Sequence, residues 1–299
     1  MELAYYLLFW VCIFGLCFGS FYNVVILRSL SGESIVFPPS KCPKCQHKLY
    51  FWHNIPVLSY IILRGKCYFC KEKISIQYPV VEITTMILFA LSYIKFGISV
   101  TTLFIIFWLS CLLIMTATDL KEKIVDCNFA IAMCISGIIH SYILAKWYGV
   151  LFSVLGIIAG ALVFIIIGKI GKFILKKDVL GEADAYVSAA LGGIFGIFNL
   201  PKVLIIGLFA YGTIVIPKFL FDRFKQKDYP TCISAGLFFI SLALFAFLNA
   251  NYYTFSAIVL TGICFVYYMF KGKNNNIESS VPYVPAFGLG TVIFILLFL

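Results

Sequence analysis

The chain has 299 residues, of which 62% are hydrophobic and 12% are charged. Its mean hydropathy is +1.02, whereas soluble globular domains carry roughly 25% charged residues. These values exclude a soluble globule, a disordered chain and a collagenous or coiled-coil protein. The 11 cysteines are too few for a small secreted disulfide scaffold. The composition therefore predicts a polytopic membrane protein in a lipid bilayer.

Apolar runs of a length that crosses a bilayer predict an all-α fold with about ten transmembrane helices. The runs lie at residues 3–27, 79–95, 99–117, 128–145, 149–168, 184–199, 203–220, 232–249, 254–270 and 283–299. No basic region precedes the first run, which we therefore expect to be retained rather than cleaved as a signal peptide.

The basic residues predict the sidedness of these helices. With the first helix running from outside to inside, 20 of the 23 Lys and Arg residues fall in inner loops, and the outer loops keep Lys95, Lys146 and Lys202. This bias is the one that membrane insertion produces. The net charge of +10 is thereby attributed to topology rather than to nucleic-acid binding. Both termini are predicted to lie outside.

Three regions are predicted: the first helix at 1–27, a polar cytoplasmic domain at 28–78, and a transmembrane domain at 79–299. Two CxxC pairs lie within the polar domain, Cys42 with Cys45 and Cys67 with Cys70. This spacing predicts a four-cysteine zinc site, and the expected role is structural because four thiolates leave zinc no open position for water.

Other polar residues near this domain leave their roles open. His47 and His53 are alternative ligands but are more simply surface histidines. Glu82 lies one turn inside an apolar run, where it either faces a polar partner or snorkels to the interface. Asn23 and Arg28, at the inner end of the first helix, either orient a substrate or anchor the helix.

Two acidic residues lie at the predicted inner boundary of the membrane. Asp119 follows the third apolar run and Asp184 opens the sixth. If they meet, one ionises and the other stays protonated, which allows aspartic-protease chemistry on a water molecule. The simpler interpretation is a loop acid and a helix N-cap. Asp126, Asp178 and Glu182 lie nearby, and spacing alone does not select the pair.

Several motifs together resemble the type IV prepilin peptidases, the bacterial membrane aspartic peptidases. The motifs follow the family order over nearly the whole chain: Gly19 to Ile26 with Arg28, the two CxxC pairs with Asn54-Ile55-Pro56 and Gly65-Lys66, Pro79-Val80-Val81-Glu82, Asp119 with Asp126, Gly181 to Asp184, and Val281 to Pro285.

The resemblance implies that Asp119 and Asp184 are the catalytic pair in the bacterial inner membrane. The implied reaction is cleavage after a glycine at the end of the basic leader of a type IV prepilin or pseudopilin. It also implies a second activity, methylation of the new amino terminus with S-adenosylmethionine as methyl donor. No glycine-rich dinucleotide-type motif locates the S-adenosylmethionine site.

The chain departs from the family pattern at two places. Ala183 replaces the second glycine of the Gly-x-Gly-Asp signature, which would strain a turn with positive φ but suits the start of a helix. The runs at 232–270 are an additional helix pair before the last block. Two alternatives stay open: a non-catalytic zinc-bearing scaffold or transporter, and a peptidase that does not methylate.

Overall fold

The computed structural model describes residues 2–175, 181–225, 227–247, 256–264 and 283–299. Regular structure in these ranges is helical, apart from two isolated bridges in the cysteine region. The predicted all-α class is confirmed. The helices are α1 (Glu2–Ser31), α2 (Leu58–Ile62), α3 (Gln77–Phe96), α4 (Val100–Glu122), α5 (Cys127–Leu175), α6 (Glu182–Lys225), α7 (Tyr229–Phe247), α8 (residues 256–264) and α9 (Val284–Phe298), with a 3-10 helix at Phe51–Asn54.

The chain divides into two compact units, Met1–Asp126 and Cys127–Leu299. These two units are defined by which residues pack together. The three regions predicted from the sequence are defined by polarity, and they stay a prediction. In the first unit α1 packs against α3, and α4 packs against both. In the second unit α6 packs against α5, α7 and α9.

Glycines allow α1 and α3 to approach closely. A Cβ at Gly15 would lie 2.7 Å from Cα of Met86, and one at Gly19 would lie 2.6 Å from Cα of Glu82. Contacts without side chains are typical of helix pairs in membranes. The contact moves toward the C-terminus of α1, from Gly15 to Gly19, as it moves toward the N-terminus of α3, from Met86 to Glu82. The two helices are therefore antiparallel.

A glycine at the end of α3 and a serine before α4 determine the turn between these helices. Helix α3 ends at Gly97, which has a φ of 61°, a conformation that glycine adopts without steric cost. The hydroxyl of Ser99 then accepts a hydrogen bond of 3.1 Å from the backbone N–H of Thr102. Ser99 is therefore the N-cap of α4.

Two long helices of the second unit are each broken once. In α5 the break lies at Ala145 and Lys146, and a side chain at Gly149 would collide with the carbonyl oxygen of Ser141. Residues eight apart in a straight helix lie about 12 Å apart. The chain therefore turns back at this break.

The break in α6 lies at Gly196, which has φ 72° and ψ 170°. These angles lie far outside the helical range. Helix α6 therefore consists of two helical halves that meet at Gly196.

Close backbone contacts join α5 to the first half of α6. A Cβ at Gly156 or Gly192 would collide with the backbone of the other residue, and one at Gly160 would collide with the carbonyl of Ser188. The hydroxyl of Ser153 also donates a hydrogen bond of 2.6 Å to the carbonyl of Gly193. The position of the α6 start therefore depends on small residues in α5.

The predicted additional pair packs at the side of α6. Phe239 of α7 stacks on Phe209 of α6 with ring centroids 4.9 Å apart. The hydroxyls of Ser241 in α7 and Thr261 in α8 are 2.8 Å apart. The described part of this pair therefore packs against α6.

Five helices are long and apolar enough to cross a membrane by length and composition: Glu2–Ser31, Gln77–Phe96, Val100–Glu122, Cys127–Ile170 and Glu182–Pro217. The breaks in α5 and α6 fall at or near predicted boundaries between runs. The count of ten spans and their sidedness stay predictions. Residues 248–255 and 265–282, which include parts of two predicted spans and Pro282, lie outside the described residues.

Candidate active site and metal centre

The four predicted cysteines converge on one point. One ligand atom from each of Cys42, Cys45, Cys67 and Cys70 lies within 4.8 Å of all the others, and the Sγ atoms of Cys42 and Cys70 are 3.9 Å apart. Zn–S bonds of about 2.3 Å in a tetrahedron separate the sulfurs by about 3.8 Å. The cluster therefore fits a zinc ion.

Two similar turns present these thiols. In the first turn the N–H of Cys42 donates to the carbonyl of His47 at 3.0 Å, and the N–H of Gln46 donates to the carbonyl of Cys42 at 2.9 Å. Gln46 has a positive φ of 59°. The second turn repeats both hydrogen bonds and the positive φ with Cys67, Glu72 and Lys71.

The thiols of the cluster influence one another. Cys42 and Cys67 are buried. The pKa of the Cys67 thiol is lowered to about 7, chiefly by the backbone N–H of Cys70, whereas the pKa of the Cys70 thiol is raised to about 11, because its backbone hydrogen bond at Glu72 is outweighed by desolvation and the other three thiols. A thiolate is the form that binds metal. With four cysteine ligands, zinc here would stabilise the fold of residues 40–73 rather than activate water.

The two histidines of the domain are engaged elsewhere. His47 stacks on Phe69 with ring centroids 4.6 Å apart, and Nδ1 of His53 accepts a hydrogen bond of 3.3 Å from the N–H of Tyr50. Neither belongs to the group of four metal-binding candidates in the described residues.

Asp119 lies in the last turn of α4, with 7% of its surface exposed. Its carbonyl accepts a hydrogen bond of 2.9 Å from the N–H of Lys123, which ends the helix with a φ of 57°. The same helix is tied to α1, because the Tyr22 hydroxyl donates to Oγ of Ser110 at 2.8 Å. Asp119 is thus a buried acid at a helix end rather than a loop acid.

Asp184 lies in the first turn of α6, also with 7% of its surface exposed. Its Oδ2 accepts a hydrogen bond of 3.2 Å from the N–H of Gly181, and its own N–H donates to the carbonyl of Gly181 at 3.1 Å. As the third residue of the helix it is not the N-cap. It caps the helix start from inside, as an acid does in a capping box.

Burial separates these two acids from their sequence neighbours. Glu182 is exposed and Asp126 is half-buried, whereas Asp119 and Asp184 are buried. Asp178 lies outside the described residues. Ala183 is helical and lies within α6, so the alanine of the altered signature carries no strain from a positive φ.

Two family models match the chain. The bacterial peptidase A24 N-terminal domain matches residues 13–96, and the type IV leader peptidase family matches residues 106–216. The first range contains all four cysteines of the cluster, and the second contains Asp119 and Asp184. The helix pair at 232–270 lies outside both.

Two relatives agree with this match. A type 4 prepilin-like proteins leader peptide-processing enzyme of Escherichia coli O78:H11 is 31% identical over 64% of this chain and 78% of its own length. A prepilin leader peptidase/N-methyltransferase of Klebsiella pneumoniae is 31% identical over 64% and 86%. The chain belongs to the type IV leader peptidase family. The predicted resemblance and the predicted enzyme class are confirmed.

One relative is covered less completely. The prepilin leader peptidase/N-methyltransferase of Myxococcus xanthus is 35% identical over 60% of this chain but only 53% of its own length. No solved structure matches the chain. The likeness to the leader peptidase family therefore rests on sequence.

Three further polar residues have structural partners. The Oε2 of Glu82 accepts a hydrogen bond of 2.7 Å from the N–H of Val57, and Glu82 is 6% exposed. Nδ2 of Asn23 donates to the carbonyl of Tyr78 at 3.1 Å. The Arg28 guanidinium donates to backbone carbonyls of the following loop, at Ser34, Ile35 and Pro38.

Glu82 therefore has a backbone amide as its polar partner, and Arg28 holds the loop after α1. The substrate-orienting and anchoring roles of Asn23 and Arg28 stay predictions. The sequence did not predict Val57 as the partner of Glu82. The donor is the backbone N–H of an apolar residue, and no sequence pattern identifies such a group.

Proposed function

We propose that this protein is a membrane aspartic endopeptidase that removes the leader peptide of type IV prepilins or pseudopilins. Cleavage follows a glycine at the cytoplasmic boundary of the bacterial inner membrane. Asp119 and Asp184 are the catalytic pair. The observation that carries the proposal is that both are buried acids at helix ends within the range matched by the leader peptidase family.

The helix ends suggest different roles for the two acids. A negative charge is stabilised in the first turn of a helix and destabilised in the last turn. Asp184, in the first turn of α6 and hydrogen-bonded to the N–H of Gly181, is assigned the carboxylate that acts as base. Asp119, in the last turn of α4, is assigned the protonated acid.

The reaction then needs no covalent intermediate. Asp184 takes a proton from water as the water oxygen attacks the carbonyl carbon of the glycine, and Asp119 gives its proton to the oxygen of that carbonyl. In the second step the proton held by Asp184 passes to the leaving nitrogen and the C–N bond breaks. Asp119 recovers its proton from the hydroxyl, which completes the new carboxyl group.

The substrate's geometry agrees with this location. A prepilin has an apolar helix preceded by a basic leader, so its scissile bond lies at the membrane boundary. The predicted inner side is supported by the 20 of 23 Lys and Arg residues in alternate loops. Water reaches this depth without a cavity at the midplane of the bilayer.

Methylation of the new amino terminus is the second proposed activity. Its support is the resemblance and the names of relatives such as the Klebsiella pneumoniae protein, a prepilin leader peptidase/N-methyltransferase. S-adenosylmethionine would be the methyl donor, and its binding residues stay unassigned. A labelled methyl donor mixed with a cleaved prepilin tests this activity separately from cleavage.

Replacing each acid by its amide tests the catalytic pair. Asp184→Asn should slow cleavage of a purified prepilin by about 10³-fold, because an amide cannot take the proton of water. Asp119→Asn should reduce the cleavage rate by a smaller factor, since its amide N–H still donates a hydrogen bond to the carbonyl oxygen of the substrate. The exposed neighbours offer matched controls: Glu182→Gln and Glu122→Gln should cleave at the wild-type rate.

The controls also separate the alternatives. If Asp119→Asn and Asp184→Asn cleave as fast as their controls, the assignment of the pair is wrong. If wild-type protein binds a partner through the zinc domain but never cleaves a prepilin, a scaffold replaces the peptidase. Cleavage without methyl transfer identifies a peptidase that does not methylate.

A further inference from the structure

A short apolar segment of the zinc domain is exposed in the described structure. It comprises residues 50–62, which include the 3-10 helix Phe51–Asn54 and helix α2, and we name it the interface segment. Phe51 and Ile62 are each 76% exposed, and Trp52 is 51% exposed. Leu58 and Ile61 are also exposed. Contiguous exposed apolar side chains mark an interaction surface.

The interface segment is held beside the membrane-crossing part of α3. Helix α3 has 20 residues from Gln77 to Phe96, which at 1.5 Å per residue span about 30 Å, the thickness of the hydrocarbon core. Glu82 lies five residues into this helix, about 8 Å along its axis. The hydrogen bond from Val57 to Glu82 places the middle of the interface segment at that depth.

This depth is the one at which interfacial helices reside. Amphipathic helices bury their apolar face about 5–10 Å into the boundary between headgroups and acyl chains. Trp and Tyr concentrate at the same level, and Tyr50 and Trp52 stack there with ring centroids 4.9 Å apart.

The charges around the interface segment are those that anionic headgroups attract. Residues 28–78 contain eight Lys or Arg and two Glu. Arg64 and Lys66 follow α2 directly and are exposed, as are Lys41, Lys44, Lys48, Lys71 and Lys73. Clusters of four to eight basic residues beside a transmembrane helix are typical of sites for anionic lipid.

We propose that the interface segment inserts into the headgroup region of the leaflet on the zinc-domain side and that the adjoining basic residues bind anionic phospholipid. Phe51, Trp52, Ile61 and Ile62 enter the boundary, and Arg64 and Lys66 contact the phosphates. The bilayer is the occupant of this surface because its depth is fixed by α3 and its charge complements the basic cluster. The inference is independent of the peptidase chemistry.

Tryptophan fluorescence of the full chain in vesicles tests the insertion. The chain has four tryptophans, and the difference between wild type and Trp52→Phe isolates the signal of Trp52. In vesicles of phosphatidylcholine and phosphatidylglycerol, lipid brominated near the headgroup should reduce this signal about twofold, as expected for a boundary residue. Aqueous iodide should have little effect.

Charge variants test the anionic component. In the wild-type protein, brominated lipid should quench Trp52 more in vesicles that contain phosphatidylglycerol than in vesicles of phosphatidylcholine alone. The double variant Arg64→Gln with Lys66→Gln should abolish this difference. The matched control, Lys146→Gln with Lys202→Gln on the predicted opposite side, should retain the difference. Equal quenching of Trp52 in both vesicle compositions would overturn the preference for anionic lipid.

Two outcomes would overturn the insertion itself. In one, iodide quenches Trp52 and brominated lipid does not. In the other, Trp52 is shielded from iodide only after a prepilin is added, which would make the interface segment a protein-binding surface. The fluorescence of Trp52 is read without a substrate, so the failure of cleavage by the wild-type protein would leave this result unaffected.

Discussion

The four cysteines and the two aspartates are positioned in different ways. The cysteines converge through two short turns within residues 42–70, and each turn is closed by its own backbone hydrogen bonds. Asp119 and Asp184 lie in different compact units, each at the end of a long helix. A metal centre can therefore be set by local geometry, whereas the orientation of a buried acid depends on the packing of its whole helix.

The largest effect should follow a change at the metal centre. Cys42→Ser removes one of four ligands, and structural zinc sites in small domains contribute about 10–16 kcal/mol of binding free energy. We expect loss of bound zinc and rapid proteolysis within residues 32–76, measured by metal analysis and limited digestion.

Cys17→Ser is the matched control for that change. Cys17 is an exposed residue of α1 and does not belong to the cysteine cluster. The control should keep its zinc. Retention of a full equivalent of zinc by Cys42→Ser would show that the cluster is not the metal site.

The second effect concerns the packing on which Asp184 depends. A Cβ at Gly192 would collide with the backbone of Gly156 in α5, so Gly192→Ala should force the helices apart and cost about 1–3 kcal/mol. Thermal unfolding in detergent should show this loss. Cleavage should fall with it while zinc content stays unchanged, because the cysteine turns are independent of this contact.

Gly236→Ala is the same substitution without the collision. Nothing lies within 4 Å of a Cβ at Gly236 in α7, so alanine should be neutral or stabilising by up to about 1 kcal/mol. If both variants unfold at the same temperature, the close contact between α5 and α6 does not contribute to stability.

The smallest effect tests the altered signature. Since Ala183 is helical, Ala183→Gly should lower stability by about 0.5–1 kcal/mol and leave cleavage nearly unchanged. The control Ala185→Gly, one residue beyond Asp184 in the same helix, should lose a similar amount of stability. A marked gain in cleavage by Ala183→Gly alone would instead show that the turn needs a glycine.

Much of the fold follows from the length of the apolar runs. The predicted runs at 79–95 and 128–145 lie close to α3 and to the part of α5 before its break at Ala145. The run ending at 27 continues helically to Ser31, because hydropathy detects the bilayer rather than the end of hydrogen bonding. Sequence could not show which glycines form contacts, since those contacts depend on the partner helix.

The sequence predicted the cysteine cluster more completely than the pair of acids, because only the cluster depends on local geometry. The spacing of two CxxC pairs indicates the metal site directly, because the turn geometry is local. The spacing of acids left Asp119 and Asp184 among five candidates, and burial distinguishes them among the described ones. The contact between Glu82 and the Val57 amide requires a fold before it can be recognised.

The separation between the carboxyl oxygens of Asp119 and Asp184, in an experimental structure with an uncleavable prepilin peptide bound, tests the catalytic pair most directly. We expect both carboxyl groups to lie within hydrogen-bond reach of one water or of the scissile carbonyl, at about 2.6–3.2 Å. Carboxyl groups on opposite sides of the bilayer, or separated by protein with the peptide in place, would contradict the assignment of the pair.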